Sequence, residues 1–315
     1  MLKEIFRDDL IRIEESIYTI IEEIEDLLIR KEVKRLVASG GKRLRPLFLI
    51  WSAKAGTLND SCYRAAAALE LLHTASLIHD DIIDKSFMRR GEATTLKIHG
   101  GEEATSIGAV LSLFAIDQIT SLGDEGVSRL LVSTLKDLCM GEIKQLEERY
   151  SFQCTYEDYL EKIAKKTASL LALPCIAGGI LSGAKEDTRR ELFSIGFNIG
   201  CAFQILDDIK DITSSPEDTG KESGEDIRSG IVTLPYLLHM EEDEEFKGWI
   251  EALSPHSEKE DFHRVVDAVR KSTAIERCYQ ISNSYLERAS RSLSAIASPE
   301  ARKGFTFVID HLYRR

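Results

Sequence analysis

The sequence predicts an all-α protein, and three observations carry that expectation. No proline occurs between Leu47 and Leu173, and proline is the residue that interrupts helices most strongly. The same stretch is rich in Ala, Leu, Glu and Lys, all good helix formers. Apolar residues recur at helical spacing instead of alternating as in a half-buried strand.

The first thirty residues set Ile5, Leu10, Ile13, Ile17, Ile20, Ile21, Ile24, Leu27 and Leu28 along one amphipathic stripe. Further helical patterns cover about 45–56, 61–85, 102–121, 125–149, 156–182, 186–213, 230–253, 259–270, 272–296 and 298–313. Three polar, glycine-containing passages interrupt them: Ser39–Arg45, Lys85–Gly101 and Thr213–Gly230. The weakly polar stretch Thr167–Ala184 contains Pro174, Gly178, Gly179 and Gly183. It reads as a buried helix pair and not as a stable membrane span. No fixed-period repeat, low-complexity tract or linker-like shift divides the chain, so residues 1–315 read as a single helical domain around one core.

Composition narrows the function classes. With 41 basic against 53 acidic residues the net charge is −12, which argues against a nucleic-acid partner. Six cysteines (62, 139, 154, 175, 201 and 278) show no paired spacing, the pattern of free thiols in a reducing compartment. The opening MLKEIFRDDL has acidic residues where a signal peptide needs a basic start and an apolar run. A cytoplasmic protein is expected.

Two segments carry the chemistry: His79-Asp80-Asp81-Ile82-Ile83-Asp84 and Leu206-Asp207-Asp208-Ile209-Lys210-Asp211. Each is Asp-Asp-x-x-Asp after an apolar helical run. Positions i and i+4 share a helix face, so Asp80 points with Asp84 and Asp207 with Asp211. Asp81 and Asp208 are turned by roughly a quarter of a circle. Like charges so placed repel unless a hard cation sits between them, and magnesium is held by one or two carboxylates plus substrate phosphate oxygens. The clusters therefore call for a phosphorylated ligand and for cations that hold it. Basic residues stand beside both: Lys42, Arg43 and Arg45 after Gly40-Gly41, Arg89-Arg90-Gly91 after the first cluster, Lys165-Lys166, and Gly220-Lys221 after the second cluster.

These segments resemble the trans-isoprenyl diphosphate synthase (polyprenyl synthetase) family. The resemblance runs through GGKRLRP (40–46), ELLHTASLIHDDIID (70–84), RRG (89–91), GEIKQL (141–146), KTA (166–168), FQILDDIKD (203–211), and GK, DI and TLP within 220–235. It implies a helical fold around a central substrate cavity, a homodimer, and head-to-tail condensation of an allylic diphosphate with isopentenyl diphosphate. It implies that Asp80, Asp81, Asp84, Asp207, Asp208 and Asp211 hold Mg2+ on the allylic diphosphate. Arg89, Lys166, Thr167, Gln204 and Lys221 would contact that diphosphate or its surroundings. Gly41, Lys42, Arg45, His73 and Arg90 would bind isopentenyl diphosphate; by itself, His73 reads as a core histidine. Asp80, Asp81, Asp84, Asp207 and Lys166 form the expected catalytic set.

The chain departs from the family pattern at Ile231, where a lysine usually precedes TLP, at Ala109 after Gly108, and at Ala93 after RRG. Upstream of Asp80, the residues Ser76, Ala75, Leu72 and Leu69 lie four, five, eight and eleven positions back. In the family, a bulky aromatic just upstream resembles a floor that stops short products. The small Ala75 and Ser76 lead to an expected product longer than geranylgeranyl diphosphate, with Leu72 and Leu69 deeper. Alternatives are a geranylgeranyl or farnesyl diphosphate synthase, a class I terpene cyclase, and a non-catalytic subunit of a heteromeric synthase.

Overall fold

The structure, a computed structural model, describes residues 2–214 and 223–313. The N-terminal stripe folds as three helices: α1 (Leu2–Ile5), α2 (Arg7–Glu22) and α3 (Leu27–Ala38). Ile13, Ile17, Ile20 and Ile21 are at most 1% exposed, whereas Leu27 is 75% and Leu28 47% exposed. The buried stripe thus ends at Ile24. Asp26 then caps α3, its carboxylate accepting the Ile29 N–H at 2.9 Å.

The remaining elements are α4 (Leu44–Ala53), α5 (Asp60–Ile83), β1 (Met88–Arg89), β2 (Glu92–Ala93), α6 (Thr95–His99), α7 (Gly101–Thr120) and α8 (Glu125–Glu147). After them come α9 (Tyr156–Ile163), a π-helical turn (Ala164–Ala168), α10 (Ser169–Leu181), α11 (Glu186–Thr213) and α12 (Glu225–Arg228). The chain closes with α13 (Leu234–Met240), α14 (Glu244–Glu251), α15 (Lys259–Lys271), α16 (Ala274–Ser294) and α17 (Pro299–Tyr313). The fold is all-α apart from the small antiparallel hairpin β1–β2. Residues 230–253, expected as one helix, break after Met240, because Asp243 starts a new helix by accepting the Phe246 N–H at 3.0 Å.

Packing divides the chain into two compact units. The first comprises Met1–Val132, Leu173–Phe193 and Ala295–Phe305, and the second Ser133–Ala172, Ser194–Ser294 and Thr306–Arg315. In the first, α2, α4 and α7 pack on α5. Ala65 to Ala68 of α5 are at most 1% exposed, so this helix is buried all round and its small side chains let neighbours approach closely. Trp51 on α4 packs against Phe6, Phe48 and Phe305 with ring centroids 4.7, 5.7 and 5.6 Å away. In the second unit, Cys278, Ser282, Leu286 and Ala289 form the buried face of α16, and the Ser282 hydroxyl donates to the Ala202 carbonyl of α11 at 3.3 Å.

Two stretches, Tyr156–Leu181 and Glu186–Thr213, are long and apolar enough to cross a membrane by length and composition, but 56% and 67% of their apolar windows are buried in the fold. Core helices have the same character.

Candidate active site

In the first unit, α5 carries Asp80 and Asp81 in its last turn and ends at Asp84, whose N–H bonds the Asp80 carbonyl at 2.9 Å. Asp81 is 5% exposed and accepts Arg89 Nε at 2.9 Å. The hairpin brings Arg89 there: Arg90 and Gly91 both adopt positive φ (53° and 82°), as a tight two-residue turn requires. Arg89, expected on a diphosphate, is therefore also the counter-charge of an expected metal ligand.

Arg43 enters α4 at φ 52°. Its Nε donates to Glu14 at 2.8 Å, Nη1 to Glu70 at 2.9 Å and Nη2 to the Val37 carbonyl at 2.7 Å. With its guanidinium so engaged, Arg43 anchors the Gly40–Arg45 loop instead of reaching for a ligand. Gly41 passes between two cations, because a Cβ there would lie 3.2 Å from Arg43 Nη1 and 3.4 Å from Arg90 Nη1. Arg90 donates to the Gly40 carbonyl, and Lys42 is exposed. Arg45 has a buried Nε with no hydrogen-bond partner, and burial pulls its guanidinium down against the fields of Glu70 and Asp80. His73 is half-buried. Burial first, and then Arg45, Arg90, Arg89 and Arg43, hold it well below the usual imidazole range. His73 thus lies among arginines, one of them with an orphaned Nε, and phosphate oxygens suit such surroundings.

The second unit holds a different arrangement. Asp208 is 2% exposed, and it accepts Gln204 Nε2 at 2.8 Å and the Tyr159 hydroxyl at 2.7 Å. Gln204 Oε1 in turn accepts the Thr167 hydroxyl at 2.7 Å. Thr167 and Lys166 lie in the π turn, an element associated with functional sites. Lys166 pairs with Glu142 at 2.6 Å. This close approach depends on Gly200, one turn before Gln204, where a Cβ would lie 2.5 Å from Ala168 Cα. Gly200→Ala is expected to push the π turn off α11 and destabilise the fold by about 1–3 kcal/mol through overpacking. Urea denaturation checks this, and an unchanged stability would contradict it.

Burial pushes Asp208 up to about 6, with Asp207 adding to the rise and Gln204, Tyr159 and Lys162 opposing it. Asp226 is raised further above the carboxylate range by burial and then by Asp208, Asp211 and Asp207, with Lys162 opposing. Asp207 is raised by partial desolvation, opposed by Lys210, although its side chain reaches solvent. Desolvation also raises Asp211, opposed by the N–H groups of Glu225 and Asp226 at 3.0 and 3.4 Å. Asp208, Asp211 and Asp226 thus lie in the fields of neighbouring carboxylates and have raised proton affinity, a charge pattern that a divalent cation would offset. Among the described residues, no three His, Cys, Asp or Glu side chains gather closely enough to hold an ion by themselves. Magnesium held here would need water and substrate phosphate oxygens to complete its shell.

A stability prediction follows. Folded Asp208 titrates at about 6 against an ordinary value of 3.8, so the folded state binds more protons between those values. The contribution of Asp208 to stability is therefore present below about pH 4 and is lost as pH rises through about 6. Without metal, the parent should lose melting temperature relative to Asp208→Asn across that window. Parallel curves would refute the assignment.

Several expected residues take on sharper roles. Ala75 is 0% exposed, and Leu72 and Leu69 are 7% and 6% exposed. Ala75 serves close helix packing, and an aromatic there must displace its neighbours. Ser76 is half-buried, and its hydroxyl donates to the His73 carbonyl at 2.9 Å. Lys221 lies outside the described residues. Of the three departures, Ala93 pairs with Met88 in the hairpin and its carbonyl accepts Arg35 Nη1 at 3.0 Å. Gly108, beside Ala109, lets α7 approach His79, whose Nε2 a Cβ would meet at 2.7 Å. Ile231 lines a cavity of about 100 Å³ with Lys162, Lys166, Thr167, Asp208 and Asp226. Tyr159, Lys162, Gly200 and Asp226 went unassigned in the sequence. The sole available hint was the Asp226-Ile227 pair ahead of TLP.

Residues 26–270 match the polyprenyl synthetase family. The chain is 35% identical to heptaprenyl diphosphate synthase component 2 of Geobacillus stearothermophilus over 94% of its own length and 92% of that protein's. Among solved structures it resembles heptaprenyl diphosphate synthase from Staphylococcus aureus (TM-score 0.94, 33% identity, 98% of each chain). It also resembles polyprenyl synthase from Caulobacter crescentus CB15 complexed with calcium and isoprenyl diphosphate (TM-score 0.90, 29% identity, 100% of this chain and 97% of that one). The carboxylate clusters and cationic pocket thus stand on a fold shared along nearly the whole chain, and the protein belongs to the polyprenyl synthetase family, as a prenyltransferase of the isoprenyl diphosphate synthase type.

Proposed function

We propose that the protein condenses an allylic prenyl diphosphate with isopentenyl diphosphate, with Mg2+, and extends the chain beyond geranylgeranyl diphosphate. One observation carries this reading: the chain holds two separate groupings of charge. Arg45, with its orphaned Nε, and His73 among arginines stand in one unit, and Asp207, Asp208, Asp211 and Asp226 stand in one another's fields in the other. A cyclase acting on one diphosphate needs no Arg45–His73 pocket. The Caulobacter relative holds a divalent cation and an isoprenyl diphosphate, which supports the same ligand chemistry here.

When bound, magnesium offsets the carboxylate charge and stabilises the diphosphate leaving group. Lys166, oriented by Glu142, adds positive charge as the allylic C–O bond breaks, and in the other unit Arg89 holds Asp81. Arg45, Lys42, Arg90 and His73 bind isopentenyl diphosphate, whose double bond attacks the allylic carbon. A carbon–carbon bond forms, diphosphate leaves, and the proton lost from the isopentenyl unit goes to that diphosphate. Leu72 and Leu69 keep water from the growing chain.

The heptaprenyl names of two relatives support a long product. Ser76→Phe should shorten it while turnover persists, whereas an unchanged product distribution would dismiss Ser76 as a wall. A homodimer is supported by exposed apolar residues: Val110 and Leu113 on α7, and Val132, Met140 and Ile143 along one face of α8. Free cysteines at all six positions support a cytoplasmic setting. A second reading, one subunit of a two-component synthase, is favoured by the name of the Geobacillus relative. Chromatography of products made from labelled isopentenyl diphosphate and each allylic primer tests the proposed reaction. Polyprenyl products longer than geranylgeranyl are expected, and products ending at farnesyl or geranylgeranyl would overturn the length.

A further inference from the structure

Lys162 has no part in the scheme above, yet it lines the cavity between Asp208, Asp226 and Ile231. Its neighbours are already engaged: Lys165 pairs with Glu161 at 2.5 Å and Lys166 with Glu142 at 2.6 Å. No such ion pair holds Lys162 among the described residues. Its ammonium has the Val232 carbonyl at 3.4 Å and the Tyr159 ring at 5.8 Å from the centroid. An ammonium has three donors, and one long contact to a carbonyl leaves the others for an incoming ligand. The Ile231 side of the cavity offers no charge at all. Acidic groups alone would repel a diphosphate from this wall, and an anion that enters here meets Lys162 as a counter-charge beside Lys166.

We propose that Lys162 is a substrate-binding residue of the allylic site, donating to the diphosphate from the wall it shares with Ile231. This rests on the function proposed above. The position also predicts a specific rescue, because a lysine at 231 would reach the same small cavity from the neighbouring wall.

The test combines calorimetric titration of inorganic pyrophosphate in the presence of Mg2+ with steady-state kinetics, on the full chain and on Lys162→Met, Lys162→Arg and Lys162→Met/Ile231→Lys. Lys162→Met should weaken pyrophosphate binding about tenfold to a hundredfold, the range of one charge-assisted hydrogen bond. The KM for the allylic substrate should rise in step, with that for isopentenyl diphosphate unchanged. Lys162→Arg should keep most of the affinity, and the double variant should regain it. A lysine that served only to balance Asp208 and Asp226 would leave pyrophosphate affinity unmoved. Parental affinity in Lys162→Met, an equal KM rise for both substrates, or no recovery in a folded double variant overturns the proposal. If the parent binds pyrophosphate through Lys162 but forms no prenyl product, the proposed reaction fails while the binding role stands.

Discussion

Asp80→Ala and Asp207→Ala are each expected to lower turnover about a hundredfold to a thousandfold, the loss typical when one element of preorganised electrostatic stabilisation is removed. The two residues sit in different units and different surroundings. Asp80 is half-buried in the last turn of α5, within the field of Arg45, while Asp207 reaches solvent beside Lys210. Asp207→Ala relieves repulsion on Asp208, Asp211 and Asp226, so its melting temperature should hold or rise. Asp80→Ala, by contrast, also removes one of the two carboxylate fields that stabilise the buried Arg45. Initial rates under saturating Mg2+ and both substrates give the measurement. Parental turnover in either variant would remove that cluster from the reaction.

Arg43→Met should destabilise the fold by about 3–5 kcal/mol, because it leaves a buried carboxylate without its partner. Arg43 and Glu70 side chains are each 7% exposed and 2.9 Å apart, so solvent does little to replace the lost pair. Glu14, 38% exposed, contributes less. The same guanidinium fixes the loop that presents Lys42 and Arg45, so isopentenyl diphosphate binding should fall with stability. Urea denaturation reads the first effect, and a loss below about 1 kcal/mol would contradict the buried-pair reading.

The features of the fold visible in the sequence were those written in local periodicity. The α5 and α11 helices and their terminal Asp-Asp-x-x-Asp segments stand within a few residues of their expected places. What stayed hidden depended on contacts distant in sequence. Tyr159 meets Asp208 across 49 positions, and no spacing rule joins a tyrosine to such an acid. The π turn at Ala164–Ala168 arises where Gly200 admits the backbone of Ala168, and one glycine among 20 announces nothing of that kind. Arg43 was written beside Lys42 and Arg45 as one basic run, yet positive φ and two glutamates turn it inward. Ala75 and Ser76 looked alike as small residues, and burial alone separates the fully packed Ala75 from the half-buried Ser76.

The most direct measurement is the initial rate of isopentenyl incorporation by the chain purified alone, with an allylic primer and Mg2+, before and after a chelator is added. The proposed reaction predicts condensation by this chain without any other polypeptide, abolished by the chelator and restored by excess Mg2+. Incorporation that survives the chelator, or that begins only when a second protein is supplied, would contradict it.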